Sequence, residues 1–355
     1  MNITSEEKQE IQHLCGVHQQ VCEQLKKRIV GLEEAIDQIL ISIFSGSHAL
    51  VVGVPGLAKT LLIRSISELL DLQFSRIQFT PDLMPSDITG TEILVEDTSD
   101  NSRKFSFLKG PIFTNILLAD EINRTPPKTQ SALLEAMEEH TVSSIGTRFD
   151  LDPPFFVLAT QNPVEQEGTY PLPISQLDRF MFNILFDYPS REQEYRILRL
   201  TVSNKSDVFT PLLSKETILK SLQLVRKIHT PQELVDYTIR LCRNTRPDVS
   251  KIQFAIDNIA WGVSPRATQA VLVGAKARAM LRGRFAVTAQ DIREIIQPAL
   301  RHRVVLNYVA EAEGITPDEI IEHIVDNTPS PDGYKRKNTN SNYSQKLYIA
   351  MAGQR

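Results

Sequence analysis

The chain is short of cysteine, of tryptophan and of any excess of one charge. Its 355 residues hold three cysteines and one tryptophan, and aromatic residues make up 7 %. Cys15, Cys22 and Cys242 lack metal-site spacing, and an odd count in so long a chain is no disulfide framework. Reduced thiols in a cytoplasmic protein are expected. The net charge is −4 and the isoelectric point about 6.0. That balance disfavours a general nucleic-acid binder, whose mark is a basic excess. No apolar run reaches the length of a membrane span. The longest, "AIDQILISIF", carries Asp37 and Gln38. The opening "MNITSEEKQE" lacks the basic-then-apolar pattern of a secretion signal. What is present is ordinary: 41 % apolar and 23 % charged residues, as in soluble globular proteins. The length exceeds what one core usually organises, so two domains are expected.

Residues 1–28 read as an amphipathic N-terminal helix. Thr4 and Glu7 have capping-box spacing, and Ile11, Leu14, Val17, Val21 and Leu25 share one face. Residues 29–188 alternate helical patterns with five short apolar runs, 48–52, 74–79, 115–120, 155–160 and 181–186. This alternation predicts an α/β core with a five-stranded parallel sheet covered on both faces. Ligands bind such sheets at the carboxyl ends of the strands, where Asp120, Glu121 and Asn162 would converge. Two inserts read as hairpins, 87–110 and 141–153, the second turning near Gly146. From 189 to 330 the pattern is helical throughout: 191–202, 214–228, 231–246, 248–261, 265–282, 288–303 and 317–326. This predicts a smaller all-α domain. Residues 331–355 read as a flexible polar tail, with "KLYIAM" its one stretch suited to docking.

Five pieces carry chemistry. In "VVGVPGLAKT", Gly53, Gly56, Lys59 and Thr60 fall between a strand and a helix at phosphate-loop spacing. Ala58 stands where the pattern has its last glycine. It is expected to begin the helix at negative φ, where alanine carries no strain. Thr60 would place its hydroxyl on Mg²⁺. "NILLADEINR" ends a strand in Asp120, suited to the metal's hydration shell, and Glu121, suited to orienting or deprotonating water. Asn162 ends the strand "FFVLAT" two residues later. It is either a γ-phosphate contact or a turn residue before Pro163. Arg179 in "QLDRF" suits stabilisation of transferred phosphate charge, or a salt bridge with Asp178 or another carboxylate. Arg266 follows Pro265 at a helix start, a poor place for a cation unless an anion lies near. It is either a phosphate contact or a solvated arginine.

Together these pieces resemble the AAA+ ATPases. "GVPGLAKT", "LLADEINRTPPKTQSALLEAMEE", "LATQNPVEQEGTYPLP" and "QLDRF" resemble motifs of the MoxR family in particular. The resemblance spans about 30–330 and implies a P-loop NTPase core followed by a helical lid. It implies a nucleotide cradle of Gly53, Val54, Pro55, Gly56, Leu57, Ala58, Lys59, Thr60 and Leu61, with Val30 and Gly31 lining the adenine pocket. Asp120 and Glu121 would form Walker B, Asn162 sensor 1, Arg179 the arginine finger and Arg266 sensor 2. The hairpins resemble the helix-2 insert and the pre-sensor-1 hairpin of that clade. The run "PLPISQLDRF" has Ile174 and Ser175 where the family usually has Glu before this motif. Neither residue has an obvious phosphate role.

Members of that family are similar to chaperone-like ATPases that form rings, often hexameric. The resemblance implies ATP and Mg²⁺ as ligands, self-assembly, and a separate protein substrate, such as one with a von Willebrand factor A domain. The expected mechanism has Glu121 and Asn162 serving the chain's own site, Arg179 reaching the next subunit, Arg266 acting in its own, and the lid rotating against the core. A nucleic-acid motor of the same fold is disfavoured, because the second hairpin offers only Arg148 as a cation. A non-hydrolysing switch is disfavoured because it needs no set like Glu121, Asn162 and Arg179.

Overall fold

The computed structural model describes residues 3–96, 103–144, 146–164, 168–202 and 209–333. The tip of the first hairpin and the tail from 334 lie outside them. Helix α1 (Ser5–Leu25) opens with the expected capping box, Glu7 N donating to Thr4 Oγ1 at 3.2 Å and Thr4 N to Glu7 Oε2 at 2.9 Å. Helix α2 (Glu33–Ser45) stops at Gly46, which is left-handed with φ 67°.

The core then runs β1 (His48–Gly53), α3 (Lys59–Leu69), β2 (Phe74–Gln78), α4 (Pro85–Thr89), β3 (Gly90–Glu96), β4 (Arg103–Lys109), β5 (Ile116–Asp120), α5 (Pro127–Glu139), β6 (Thr141–Ser144), β7 (Thr147–Asp150), β8 (Phe156–Gln161), α6 (Ile174–Leu177) and β9 (Phe180–Phe186). Five strands form one sheet in the order β2-β5-β8-β1-β9. Every pairing in it is parallel. Strand residues alternate between two apolar layers. Ala49 and Val51 face the layer of α1, α2 and α3, while Leu50 and Val52 face that of α5. The inserts are the antiparallel pairs β3–β4 and β6–β7. They touch one another: the Phe107 and Phe149 rings stack at 4.2 Å, tilted by only 13°.

The second part comprises α7 (Arg191–Val202), α8 (Lys215–Lys227), α9 (Gln232–Arg243), α10 (Gln253–Asn258), β10 (Ile259–Trp261), α11 (Pro265–Leu281), α12 (Ala289–Leu300), β11 (Val305–Leu306), α13 (Tyr308–Ala312) and α14 (Pro317–Asn327). It is helical as expected except for one short ladder. The helix expected over 248–261 shrinks to α10, because Ile259 pairs with Leu306 and Trp261 with Val305. β-branched and aromatic side chains favour this ladder, and Gly262 closes it. A Cβ on Gly262 would lie 2.4 Å from the Thr245 carbonyl oxygen.

The lid is not joined by a bare hinge. One apolar cluster runs from Leu14 and Ile39 through Phe182 to Val271 and Ile295. The consecutive Arg301, His302 and Arg303 are all buried and clamp the edge strand β9. Arg301 donates to Asn183 O at 3.2 Å, and Arg303 to Phe180 O at 2.7 Å and Met181 O at 3.1 Å. His302 Nε2 lies 3.1 Å from Phe180 O. Among the described residues no helix is long and apolar enough to cross a membrane, and all three cysteines are unpaired.

Candidate nucleotide site

Strand β1 lies inside the sheet between β8 and β9, and register sets what meets at its carboxyl end. Val52 is level with Gln161, and Gln78 is level with Asp120. The loop after Gly53, the Asp120–Glu121 pair and Asn162 therefore share one edge of the sheet, as the strand pattern implied.

The loop backbone turns tightly here. A Cβ on Gly53 would lie 2.6 Å from Phe186 Cβ, so only glycine lets β1 close against β9. Gly56 has φ 86°, and nothing lies within 4 Å of where its Cβ would be. That leaves open space beside the loop backbone at Gly56. The expectation for Ala58 is overturned. It does not start the helix at negative φ but caps it in the left-handed region, at φ 55° and ψ 25°. Here alanine costs about 1–2 kcal/mol relative to the ordinary conformation, which is why the phosphate-loop pattern has glycine there.

Lys59 begins α3 and folds back so that its Nζ donates to the Gly53 carbonyl oxygen. Burial lowers its pKa below the usual lysine value, opposed by the charges of Asp120 and Glu121. The ammonium is thus half-desolvated beside two carboxylates, with a carbonyl oxygen as its direct partner. Thr60 sits beside it in the first turn of α3.

Asp120 is held on both oxygens. Thr160 Oγ1 donates to Oδ1 at 2.6 Å, and Arg76 donates to Oδ2 at 2.7 Å from Nη2 and 3.2 Å from Nε. The same Thr160 hydroxyl accepts the Glu121 N–H at 2.9 Å. Glu121 itself is left-handed, φ 58° and ψ 49°, an uncommon state for a residue with a side chain and one that collects at functional positions. Its Oε2 accepts from Gln78 Nε2 at 2.7 Å and from Arg124 Nη1 at 3.0 Å. Asn162 is buried, 3 % exposed, and its Oδ1 accepts the Val164 N–H at 3.1 Å. That is the turn-forming bond expected of Asn-Pro, and it leaves the amide nitrogen available to a ligand.

Beside the loop lies a cleft of about 810 Å³. Val30, Gly31, Gly56, Leu57, Ala58 and Leu61 form one wall, and Ile197, Leu198 and Leu200 of α7 the other. An apolar slot next to a phosphate loop suits a flat base. A second cleft of about 390 Å³ backs onto Gly31 and Leu32. Glu34, Asp187, Asp318, Glu319 and Glu322 line it with Arg301, and this excess of carboxylates suits phosphate poorly.

Arg179 and Arg266 stand together, away from the chain's own cleft. Arg179 Nη1 contacts Glu138 Oε2 and donates to Leu134 O at 2.8 Å. Arg266 Nη2 donates to Glu138 Oε1 at 2.9 Å. Neither residue lines the cleft at Gly56. The expectation gave one arginine to the neighbour and the other to the chain's own site; in this structure one carboxylate holds both. Arg179 does not pair with Asp178, which instead binds Arg303 Nε at 2.6 Å and the Ser264 hydroxyl at 2.9 Å.

Sequence reasoning missed Arg76, Gln78, Thr160, Arg124, Glu138 and the apolar face of α7. Gln78 and Thr160 had a weak signal, each being a polar residue near the end of an apolar strand. Glu138 lies inside the family-like stretch "LLADEINRTPPKTQSALLEAMEE", but nothing in its helical pattern singles it out from the acidic residues beside it.

A parallel sheet in this strand order, a lysine-bearing loop after an inner strand and an Asp-Glu pair on a nearby strand end define the AAA class of P-loop proteins. Residues 48–182 match the ATPase family associated with various cellular activities (AAA), and residues 255–324 match the AAA lid domain. The chain is 41 % identical over 310 residues to Chaperone MoxR1 of Mycobacterium tuberculosis, covering 87 % of this chain and 81 % of the relative. It is 28 % identical over 326 residues to Protein MoxR of Methylorubrum extorquens, covering 87 % and 93 %. A crystal structure of a candidate ATPase from Cytophaga hutchinsonii superposes with a TM-score of 0.82 at 42 % identity, covering 89 % of this chain and 96 % of that one. The chain belongs to the MoxR family of AAA+ ATPases.

Proposed function

We propose that this chain binds ATP with Mg²⁺ at the Gly53–Thr60 loop, hydrolyses it within a ring of its own copies, and uses the energy to remodel a partner protein. The observation that carries this reading is the half-buried Lys59 ammonium, set beside two carboxylates and, among the described residues, bonded only to a carbonyl oxygen of its own loop. A polyphosphate fits it better than that carbonyl, and the open space at Gly56 fits the same anion.

Thr60 and Asp120 are the residues suited to Mg²⁺. When bound, the ion would neutralise charge on the phosphate oxygens. Arg76 holds Asp120 Oδ2, so this guanidinium shares or yields that oxygen. Val30, Gly31, Leu57, Leu61 and α7 hold the base. Glu121 orients or deprotonates water once it leaves Gln78 and Arg124, and the Asn162 amide steadies the same water or the outer phosphate. Arg179 and Arg266, sharing Glu138, act together on the nucleotide of the neighbouring copy. The chaperone name of the mycobacterial relative supports a protein substrate, and the charge balance argues against nucleic acid. A von Willebrand factor A domain protein and a hexameric ring are the first choices for partner and assembly.

The test is turnover by three variants. Lys59→Ala is expected to lose ATP binding. Glu121→Gln should bind ATP but release phosphate at least a hundredfold more slowly. Arg179→Ala should lose turnover and regain it when mixed with Lys59→Ala protein in one ring. Full phosphate release by Glu121→Gln would overturn the assignment of the base.

A further inference from the structure

Glu138 is a residue that the sequence analysis did not single out, and its contacts give it a role. It lies near the end of α5, in the α/β core, with its side chain 40 % exposed. Arg179 precedes β9, also in the core; Arg266 opens α11 in the lid. Three distant parts of the chain therefore meet at one carboxylate. Oε2 takes Arg179 and Oε1 takes Arg266, so each oxygen serves one guanidinium.

Two guanidiniums on one carboxylate leave the cluster with a net positive charge. Like charges this close repel; the shared carboxylate holds both, and the Leu134 carbonyl oxygen takes a further bond from Arg179. The Nε of Arg179 is buried with no hydrogen-bond acceptor, a cost the free subunit bears. Arg266 also sits at the positive end of α11, where a cation is unfavourable. The net charge and the helix-end position are both relieved by an anion approaching from outside the chain. A loose arginine on a long side chain would lose rotamer freedom on meeting that anion; one already fixed loses less.

We infer that Glu138 is a positioning residue. It pairs the core arginine with the lid arginine so that both present to one phosphate of the neighbouring copy. This rests on the reading of Arg179 as acting across a subunit boundary. The residue touches no substrate. It acts through the two cations, and it makes their geometry depend on the lid staying docked to the core.

The test places the substitution on one side of the boundary at a time. Arg179→Ala protein keeps its own nucleotide loop, and Lys59→Ala protein keeps its arginines, so mixed rings of the two are expected to turn over ATP. Adding Glu138→Gln to the Lys59→Ala chain, which donates the arginines, should lower that turnover about ten- to a hundredfold with KM for ATP little changed, since misplacement of about 1 Å costs that much. Adding it to the Arg179→Ala chain should lower turnover less than twofold. Glu138→Asp in the donating chain should restore part of the loss. Melting curves of each variant check that Gln is tolerated by the fold. Equal losses from both chains, or a rise in KM in place of a fall in kcat, would mean that Glu138 supports the fold only, and would overturn the inference. Failure of the control mixture, with mixed rings confirmed, would overturn the trans reading itself and the inference with it.

Discussion

Ala58 and Glu121 both adopt left-handed backbone, at φ 55° and φ 58°, and they flank the place where a phosphate and its water would meet. Neither residue favours that region intrinsically, so the surrounding contacts must hold them there. For Ala58 the consequence is measurable. Ala58→Gly relieves the Cβ penalty, partly offset by glycine's greater freedom when unfolded. It is expected to stabilise the protein by about 0.5–1 kcal/mol in denaturant unfolding, with ATP binding retained. Lower stability would show that the αL geometry is not the native one. For Glu121 the hold by Gln78 matters most. A hydrogen bond to a charged group is worth about 1.5–3 kcal/mol, and Arg124 keeps part of the hold. Gln78→Ala should therefore raise basal turnover several-fold; an unchanged rate would mean that the bond does not restrain the carboxylate.

At the scale of elements, the sheet is tied at its amino end by a histidine. His48 Nδ1 accepts the Val157 N–H at 3.0 Å, while Nε2 lies 3.2 Å from Met137 O. This pattern needs the neutral ring with its proton on Nε2, since protonating Nδ1 would set two N–H groups against each other. Burial lowers the pKa to about 4, with the nearby His140 adding to the effect and the bond to the Met137 carbonyl opposing it. The unfolded chain, with an ordinary histidine near 6.5, binds the proton first. Stability from this group is complete above about pH 6.5 and is lost as pH falls towards 4, by on the order of 3 kcal/mol in full. Against a His48→Gln variant measured at each pH, the wild-type protein should lose its advantage across that window. Parallel curves would count against the neutral tie. The two inserts form another linked element, because the Phe107–Phe149 stack makes a movement of one hairpin felt by the other.

At the scale of the whole molecule, the lid and the core share one apolar cluster and one buried polar clamp. The Asp178 carboxylate pairs with the nearly buried Arg303, whose side chain is 4 % exposed. Removing the partner of a buried charge costs about 3–5 kcal/mol. Asp178→Ala is therefore expected to lower the melting temperature of the whole chain in a single transition. Two separated transitions, with the core unaffected, would mean that the lid is an independent unit. Rotation of the lid against its own core would have to break this clamp.

The local record was legible wherever chemistry is local. Strand cores at 48–52 and 115–120, the lysine loop between a strand and a helix, and the capping box at Thr4 each depend on residues within a few positions of one another. So the phosphate loop, the Asp120–Glu121 pair and the α/β-then-helical order followed from spacing and periodicity alone. What depended on the tertiary fold was the company these residues keep. Gln78 reaches Glu121 across 43 positions and Arg266 reaches Glu138 across 128; no periodicity encodes such meetings. They arise because a parallel sheet brings strand ends to one edge, and because the Arg266 side chain at the start of α11 reaches Glu138 near the end of α5. That meeting, and not any periodicity, put the two arginines on one carboxylate.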